Sequence, residues 1–227
     1  NIPSKLSYNF LFVGLDGTTE ELGLNSSNIY IWYENSLDES VRKYYEDPFI
    51  NKPPIFIASS SAKDPEWKKN NPKKSTICVI SWSNVDMFNT QNIPRKRKDI
   101  EYIEKKKKIE QILWDALYTN FPKCKNKVLF SSTSTSETVK YYLGSYNGEC
   151  YGLDAITKRF DYLTLRPESN LPNMYLTGQD IVASGFGSAI TSAVLTVSDI
   201  LGYNNILDII SGRNIIDDIK NIDKKNI

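Results

Sequence analysis

Histidine is absent from the chain. No Ser-His triad, histidine general base or histidine-ligated metal can be completed by these residues alone. Cysteine is scarce: Cys78, Cys124 and Cys150 stand far apart and are odd in number. They form no disulfide framework and no CxxC zinc or redox motif, so they read as reduced, structural thiols. A charge excess is missing as well. The net charge of +1 gives no global push toward nucleic acid or anionic lipid. No complete G-x-G-x-x-G dinucleotide fingerprint is present. In "GFGSAI" (185–190) Ile190 stands where its third Gly or Ala should be. A basic segment followed by an apolar core, the mark of a secretory signal, does not head "NIPSKLSYNF". The chain opens on Asn1 rather than Met, which reads as a processed, trimmed or partial chain.

What is present is enough for a core. The 227 residues are 40% hydrophobic and 24% charged, in the range of one large globular domain or one and a half small ones. Strands are expected in "YNFLFVGL" (8–15), "NIYIWYEN" (28–35), the start of "PPIFIASSSAKDPEW" (53–67), which ends in a polar loop, "KSTICVISWS" (74–83) and "KVLFSSTS" (127–134). Ser36 is an N-cap candidate ahead of acidic first-turn residues, the signature of a short helix. Ile109, Ile112, Leu113, Ala116 and Leu117 recur at i, i+3, i+4, i+7, i+8, one apolar helical face, and Pro122 stops that helix. Thr135 or Ser136 can cap a further helix. The fold class is therefore α/β in the α+β sense, with a mostly antiparallel or mixed sheet. The basic clusters Arg95–Lys98 and Lys105–Lys108 look like a nucleic-acid or lipid patch. The competing reading is a solvated helix face, since Glu101, Glu104 and Glu110 are interleaved. A loop-like stretch, "SYNGECYGLDAITKRFDYLTLRPESNLP" (145–172), separates this part from the rest. The sequence closes on a modest amphipathic helix fraying into a charged tail.

The most informative stretch is "PNMYLTGQDIVASGFGSAITSAVLTVSDILG" (172–202). Ile181 to Ser198 carries no charge, which raises a membrane-span candidate. Its many Ser and Thr residues, Gly185 and Gly187, and the bracketing Asp180 and Asp199 favour another reading. In that reading "MYLTG" is a strand ending at Gly178, the loop crosses Asp180, and a buried helix starts near Gly185 to Ser188. A helix N-terminus offers unpaired N–H groups and a partial positive charge, suited to a phosphate or a ring carbonyl oxygen. Asp180 suits a polyol hydroxyl instead. A flavin dinucleotide carries both kinds of group.

"LRPESNLPNMYLTGQDIVASGFGSAITSAVLTVSDILG" resembles the C-terminal flavin-binding segment of the phytoene-desaturase and carotenoid-isomerase group of FAD-dependent oxidoreductases. Within that group it is most similar to the branch that saturates a C=C bond of a retinoid. "PPIFIASSSAKDPEW", "KSTICVISW", "TSETVKYYLGSYNGECYGLD" and "LDGTTEELGLNSSNIYIWYE" resemble the group's preceding segments in the same order. The resemblance implies the C-terminal part of a two-domain, amine-oxidase-like flavoenzyme that lacks the N-terminal Rossmann half. Residues 1–165 correspond to a substrate domain, and residues 166–227 return to the FAD domain. It also implies FAD as cofactor, held by Gly178, Gln179, Asp180, Gly185, Phe186 and Gly187, with NAD or NADP as an electron source. Ser188 departs from relatives that carry Gly there. A retinoid or carotenoid-like polyene is the implied substrate, and Tyr141, Tyr142 and Tyr151 are candidates for pocket wall or proton donor, against a competing role in packing. No catalytic residue and no metal ligand is named. The resemblance further implies association with the endoplasmic reticulum membrane, and the near-zero net charge leaves no nucleic acid expected as partner. Two alternatives stand beside it: a carotenoid isomerase or desaturase of the same group, and a non-enzymatic interaction domain with a basic helix.

Overall fold

The computed structural model describes residues 2–88 and 100–212, so the Arg95–Lys98 cluster and the charged tail beyond Gly212 lie outside it. The chain divides into two compact units. One is Lys5–Cys150; the other joins Asn1–Ser4 to the chain from Tyr151 onward. The division falls at residue 150, ahead of the boundary at 165 read from sequence.

The first unit contains β1 (Leu6–Asp16), α1 (Thr19–Leu22), β2 (Ile29–Ile31), α2 (Leu37–Glu46), β3 (Ile55–Ala58), α3 (Trp67–Asn70), β4 (Lys74–Asn84), α4 (Ile100–Asn120), β5 (Val128–Ser134) and α5 (Ser136–Leu143). The strands form one sheet in the order β2-β3-β4-β1-β5, and each neighbouring pair is antiparallel. β1 and β4 pair over their whole length, from Leu6 opposite Asn84 to Asp16 opposite Lys74. β2 is much shorter than the run of β-formers that suggested it. Its ladder ends at Ile31 opposite Ile55, and the next partner positions are Pro54 and Pro53. Proline has no N–H to donate to a ladder, so the pairing stops there.

Alternation sorts the side chains of the long strands. Leu11, Val13 and Leu15 of β1, Ile77 and Val79 of β4, and Ile55 and Ile57 of β3 all turn into the core. α4 covers them with Ile109, Leu113, Ala116 and Leu117, four of the five residues whose spacing predicts the helix. Burying each of the larger side chains stabilises by about 1.5–3 kcal/mol relative to exposure. The helix ends at Asn120, two residues before Pro122. Helix starts follow their caps: the Glu39 N–H donates to Ser36 Oγ at 3.4 Å ahead of α2. A reciprocal Thr18–Glu21 box opens α1, with bonds of 3.2 and 2.8 Å.

Two lysines of α4 make contacts within the chain. Lys105 pairs with Glu101 at 2.7 Å, and the Lys105 and Lys108 ammonium groups sit 6.0 and 5.8 Å from the centre of the Phe49 ring. All three cysteines are free thiols.

Tyr44 is fully buried, and its hydroxyl donates to the Trp82 carbonyl at 2.8 Å. Burial first, and the neighbouring Tyr45 second, push its ionisation well above the ordinary tyrosine range. Tyr44→Phe is expected to cost about 1 kcal/mol at neutral pH by removing that bond. The raised folded-state value means the neutral phenol's contribution is complete below pH ~10 and is lost as pH rises beyond it. Urea-unfolding midpoints should therefore show the gap between wild type and Y44F narrowing from pH ~10 upward.

Candidate functional site

The second unit contains α6 (Thr157–Phe160), α7 (Phe186–Leu201) and α8 (Ile206–Ile210). α7 begins where the glycines place it. Gly185 is its N-cap at φ 101°, a backbone region that favours glycine, and no side chain caps it. The first-turn amides are thus offered outward. A side-chain carbon added at Gly178, Gly185 or Gly187 would meet no heavy atom within 4 Å. The Gly185 N–H lies 3.5 Å from Gln179 Oε1, at the outer limit of a hydrogen bond, which brings Gln179 to the helix start. Phe186 is 83% exposed there.

Two expectations for this stretch need correction. Met174–Gly178 is not a strand in a ladder; one isolated antiparallel bridge joins Tyr175 to Glu168. The described residues offer it no neighbouring strand, and hydroxyls of α7 take its polar groups instead. Gly178 N–H donates to Ser192 Oγ at 2.8 Å, and Thr196 Oγ1 donates to the Leu176 carbonyl at 3.0 Å. α7 is also not a buried helix within this chain. Its buried residues are Ser192 and Thr196, while Phe186, Ile190, Val197, Ile200 and Leu201 are exposed. No helix among the described residues is long and apolar enough to cross a membrane.

Asp180 has a structural partner. Its Oδ1 accepts from the Leu153 N–H at 2.8 Å, which leaves less of the carboxylate for the hydroxyl expected from sequence. The Gly152 backbone packs so closely that an added side-chain carbon would sit 2.2 Å from that oxygen. Arg159, 2% exposed, closes the cluster by donating to the Leu153 carbonyl at 2.5 Å and the Gln179 carbonyl at 2.6 Å. The first residues strap the same loop: Asp154 N–H donates to the Pro3 carbonyl at 2.9 Å and Ser4 Oγ to the Gly152 carbonyl at 2.5 Å. Arg159 is the residue that sequence reasoning misses. It lies in an aperiodic loop, and nothing in "AITKRFD" marks it as buried.

Tyr151 directly precedes this cluster, 37% exposed; Tyr141 and Tyr142 lie on the exposed side of α5. Among the described residues no three Cys, Asp or Glu side chains gather as metal ligands.

The first unit carries a surface that the sequence reading did not single out. The outward side of its sheet is aromatic. Tyr8, Phe10 and Phe12 follow one another on β1, opposite Trp82, Ile80 and Cys78 of β4. One row crosses the strands as Tyr30, Phe56, Ile80 and Phe10. Phe10 and Phe12 stack at 5.6 Å, Tyr30 and Phe56 lie 5.0 Å apart, and Trp32 meets Trp82 edge-on at 6.4 Å. Phe12 is 45% and Tyr30 62% exposed. A contiguous apolar face of this kind is a candidate binding surface. The signal was available in the alternation of β1, whose even positions are as apolar as its odd ones. Burial raises the Cys78 thiol on this face to about 11.

No family profile matches the chain. It is 35% identical over 209 residues to an all-trans-retinol 13,14-reductase of Danio rerio, covering 88% of this chain and 34% of that protein. A protein of the same name from Rattus norvegicus is 31% identical over 212 residues, 90% of this chain and 35% of the relative. An inactive all-trans-retinol 13,14-reductase of Danio rerio is 27% identical over 199 residues, 84% of this chain and 33% of the relative. The chain thus spans about a third of the length of the curated relatives it matches.

Gly152→Ala should displace Asp180 and destabilise the unit by more than ~1 kcal/mol, because the residue combines φ 65° with the 2.2 Å clash. Arg159→Ala, which frees two carbonyls, should lower stability by a further ~1–3 kcal/mol in the same melting experiment. Melting curves that leave both variants at the wild-type midpoint would show that the cluster does not hold Asp180.

Proposed function

We propose that this chain is the C-terminal part of a FAD-dependent oxidoreductase that saturates one C=C bond of a retinoid or related polyene. The relatives' name supplies the retinoid. The observation that carries the reading is the outward aromatic face of the sheet, a broad apolar surface suited to a flat conjugated hydrocarbon. The helix start supports the cofactor. Uncapped amides and three glycines with open space fit a ring carbonyl or phosphate group, with Gln179 alongside. Asp180 fits less fully, since one oxygen already accepts a backbone bond. The two-thirds of the relatives' length without counterpart here would supply the dinucleotide-binding domain and cover the exposed face of α7.

When bound, the flavin supplies hydride to one alkene carbon, and a proton from an acid completes the addition at the other. This chain's own part is to hold the polyene against aromatic rings, keep water from it, and present the helix amides to the cofactor. Tyr151 is the proton-donor candidate beside the Asp180 cluster. A carotenoid isomerase or desaturase would use the same two surfaces, and products from retinol and from a tetraterpene separate the readings. The intramolecular contacts of Lys105 and Lys108 weigh against the interaction-domain reading.

Purified complete protein is expected to be yellow and, given a reductant, to convert retinol to a product heavier by two hydrogens. A colourless, inactive protein would instead align it with the relative named inactive. Replacing Phe10 and Phe12 together by Ser should reduce kcat/KM for retinol by about tenfold or more without bleaching the flavin. Gly187→Ala should favour the free helix by about 0.5–1 kcal/mol yet lower flavin occupancy. Full occupancy in G187A would remove the helix start as the cofactor's seat. Tyr151→Phe with full activity would remove Tyr151 as proton donor.

A further inference from the structure

The core side of the sheet is not apolar throughout. In the N-terminal half of β1 the inward positions are Ser7 and Asn9, paired on β4 with Ser83 and Ser81. β5 adds Thr133 opposite Leu11, and its ladder ends at Ser134 opposite Phe10, one residue before Thr135. Ser136 follows as the first residue of α5. Ser7, Asn9, Ser81, Ser83, Thr135 and Ser136 are 0% exposed, and Thr133 is 8% exposed.

Several of these groups satisfy one another. Asn9 Nδ2 donates to Ser81 Oγ at 3.2 Å, Ser7 Oγ donates to the Gly148 carbonyl at 2.7 Å, and Tyr102 Oη lies 3.0 Å from Thr135 Oγ1. Three atoms are left over: Asn9 Oδ1, Thr133 Oγ1 and Ser136 Oγ have no hydrogen-bond partner among the described residues. Each such buried group costs about 1–3 kcal/mol when unsatisfied. Three together would cancel much of a domain's net stability of roughly 5–15 kcal/mol. Replacement by Leu or Val, as at Leu11 and Val13 further along β1, would avoid that cost, so the polar end requires a compensating partner.

We propose that this end of the core is an internal hydration site, in which ordered water bridges Asn9 Oδ1, Thr133 Oγ1 and Ser136 Oγ. The donor set fits water in particular. An amide oxygen accepts, two hydroxyls either donate or accept, and together they supply the two to four polar partners that a buried water needs. These three groups carry no charge that would select an ion. The strands that carry the site are those whose opposite side presents Tyr8, Phe10 and Trp82. The bridging water therefore ties β1, β5 and the start of α5 together behind the aromatic face. The site rests on neither the flavin nor the polyene reading.

The test uses the complete protein. Thr133→Val exchanges one hydroxyl for a methyl at nearly constant volume. With water bound to Oγ1, T133V should lower the melting temperature by ~2–4 °C, the shift expected for about 1 kcal/mol in a domain of this size. A crystal structure at high resolution should show ordered density within hydrogen-bond distance of Asn9 Oδ1, Thr133 Oγ1 and Ser136 Oγ, altered in T133V. Absence of that density overturns the proposal whatever the variant does. Density that is present while T133V melts at or above the wild-type temperature overturns the bridging role of Thr133.

Discussion

The antiparallel pairing of β1 with β4 is the constraint on which the first unit depends. Side chains alternate along a strand with a period of two. Once Leu11 is set opposite Val79, and Phe10 opposite Ile80, every other position on both strands is assigned to a face. A slip of one residue would turn Leu11, Val13 and Leu15 outward and drive Phe10 and Phe12 into the space that Ile109, Leu113 and Leu117 of α4 fill. The pairing runs the full length of both strands, so such a slip would sacrifice core contacts along the entire sheet. The core and the aromatic face are two consequences of one register.

The second unit is organised differently. It has no ladder among its described residues; hydroxyls, one buried guanidinium and one carboxylate do the joining. Ser192 and Thr196 tie α7 to the extended segment at Leu176–Gly178, and Arg159 and Asp180 tie the Gly152–Leu153 loop to Gln179. Hydrogen bonds fix positions without burying much apolar surface. That leaves Ile190, Val197, Ile200 and Leu201 exposed on a helix with a single charged residue, Asp199. Such a helix gains little hydrophobic stabilisation from this chain alone. The same bonds hold the uncapped helix start and Gln179 in place, and the cofactor proposal depends on that geometry.

Much of the first unit was legible in its residues, because its elements obey local rules. The spacing of Ile109, Leu113, Ala116 and Leu117 marked α4, Ser36 marked the start of α2, and β-branched and aromatic runs marked the strands. The short β2 was less legible, since it was cut by prolines in its partner strand rather than in itself. In the second unit the start of α7 at Gly185 was legible, because glycine there reflects a backbone requirement. The burial of Arg159 was not, because its two acceptors are backbone carbonyls 6 and 20 residues away, a distance no periodicity encodes.

Taken alone, the sequence determined the kinds of element, their order, the absence of histidine chemistry, the glycine-marked helix start and the resemblance to a flavoenzyme group. These depend on residue type and short spacing. The tertiary structure alone decided the strand order, and with it the gathering of Tyr30, Phe56, Ile80 and Phe10 into one row. It also decided that Met174–Gly178 would bond to hydroxyls rather than to a strand, and that the carboxylate of Asp180 would be partly engaged by Leu153. Each of these depends on which distant backbone N–H or carbonyl comes within about 3 Å. That is a property of the closed chain and not of any segment within it.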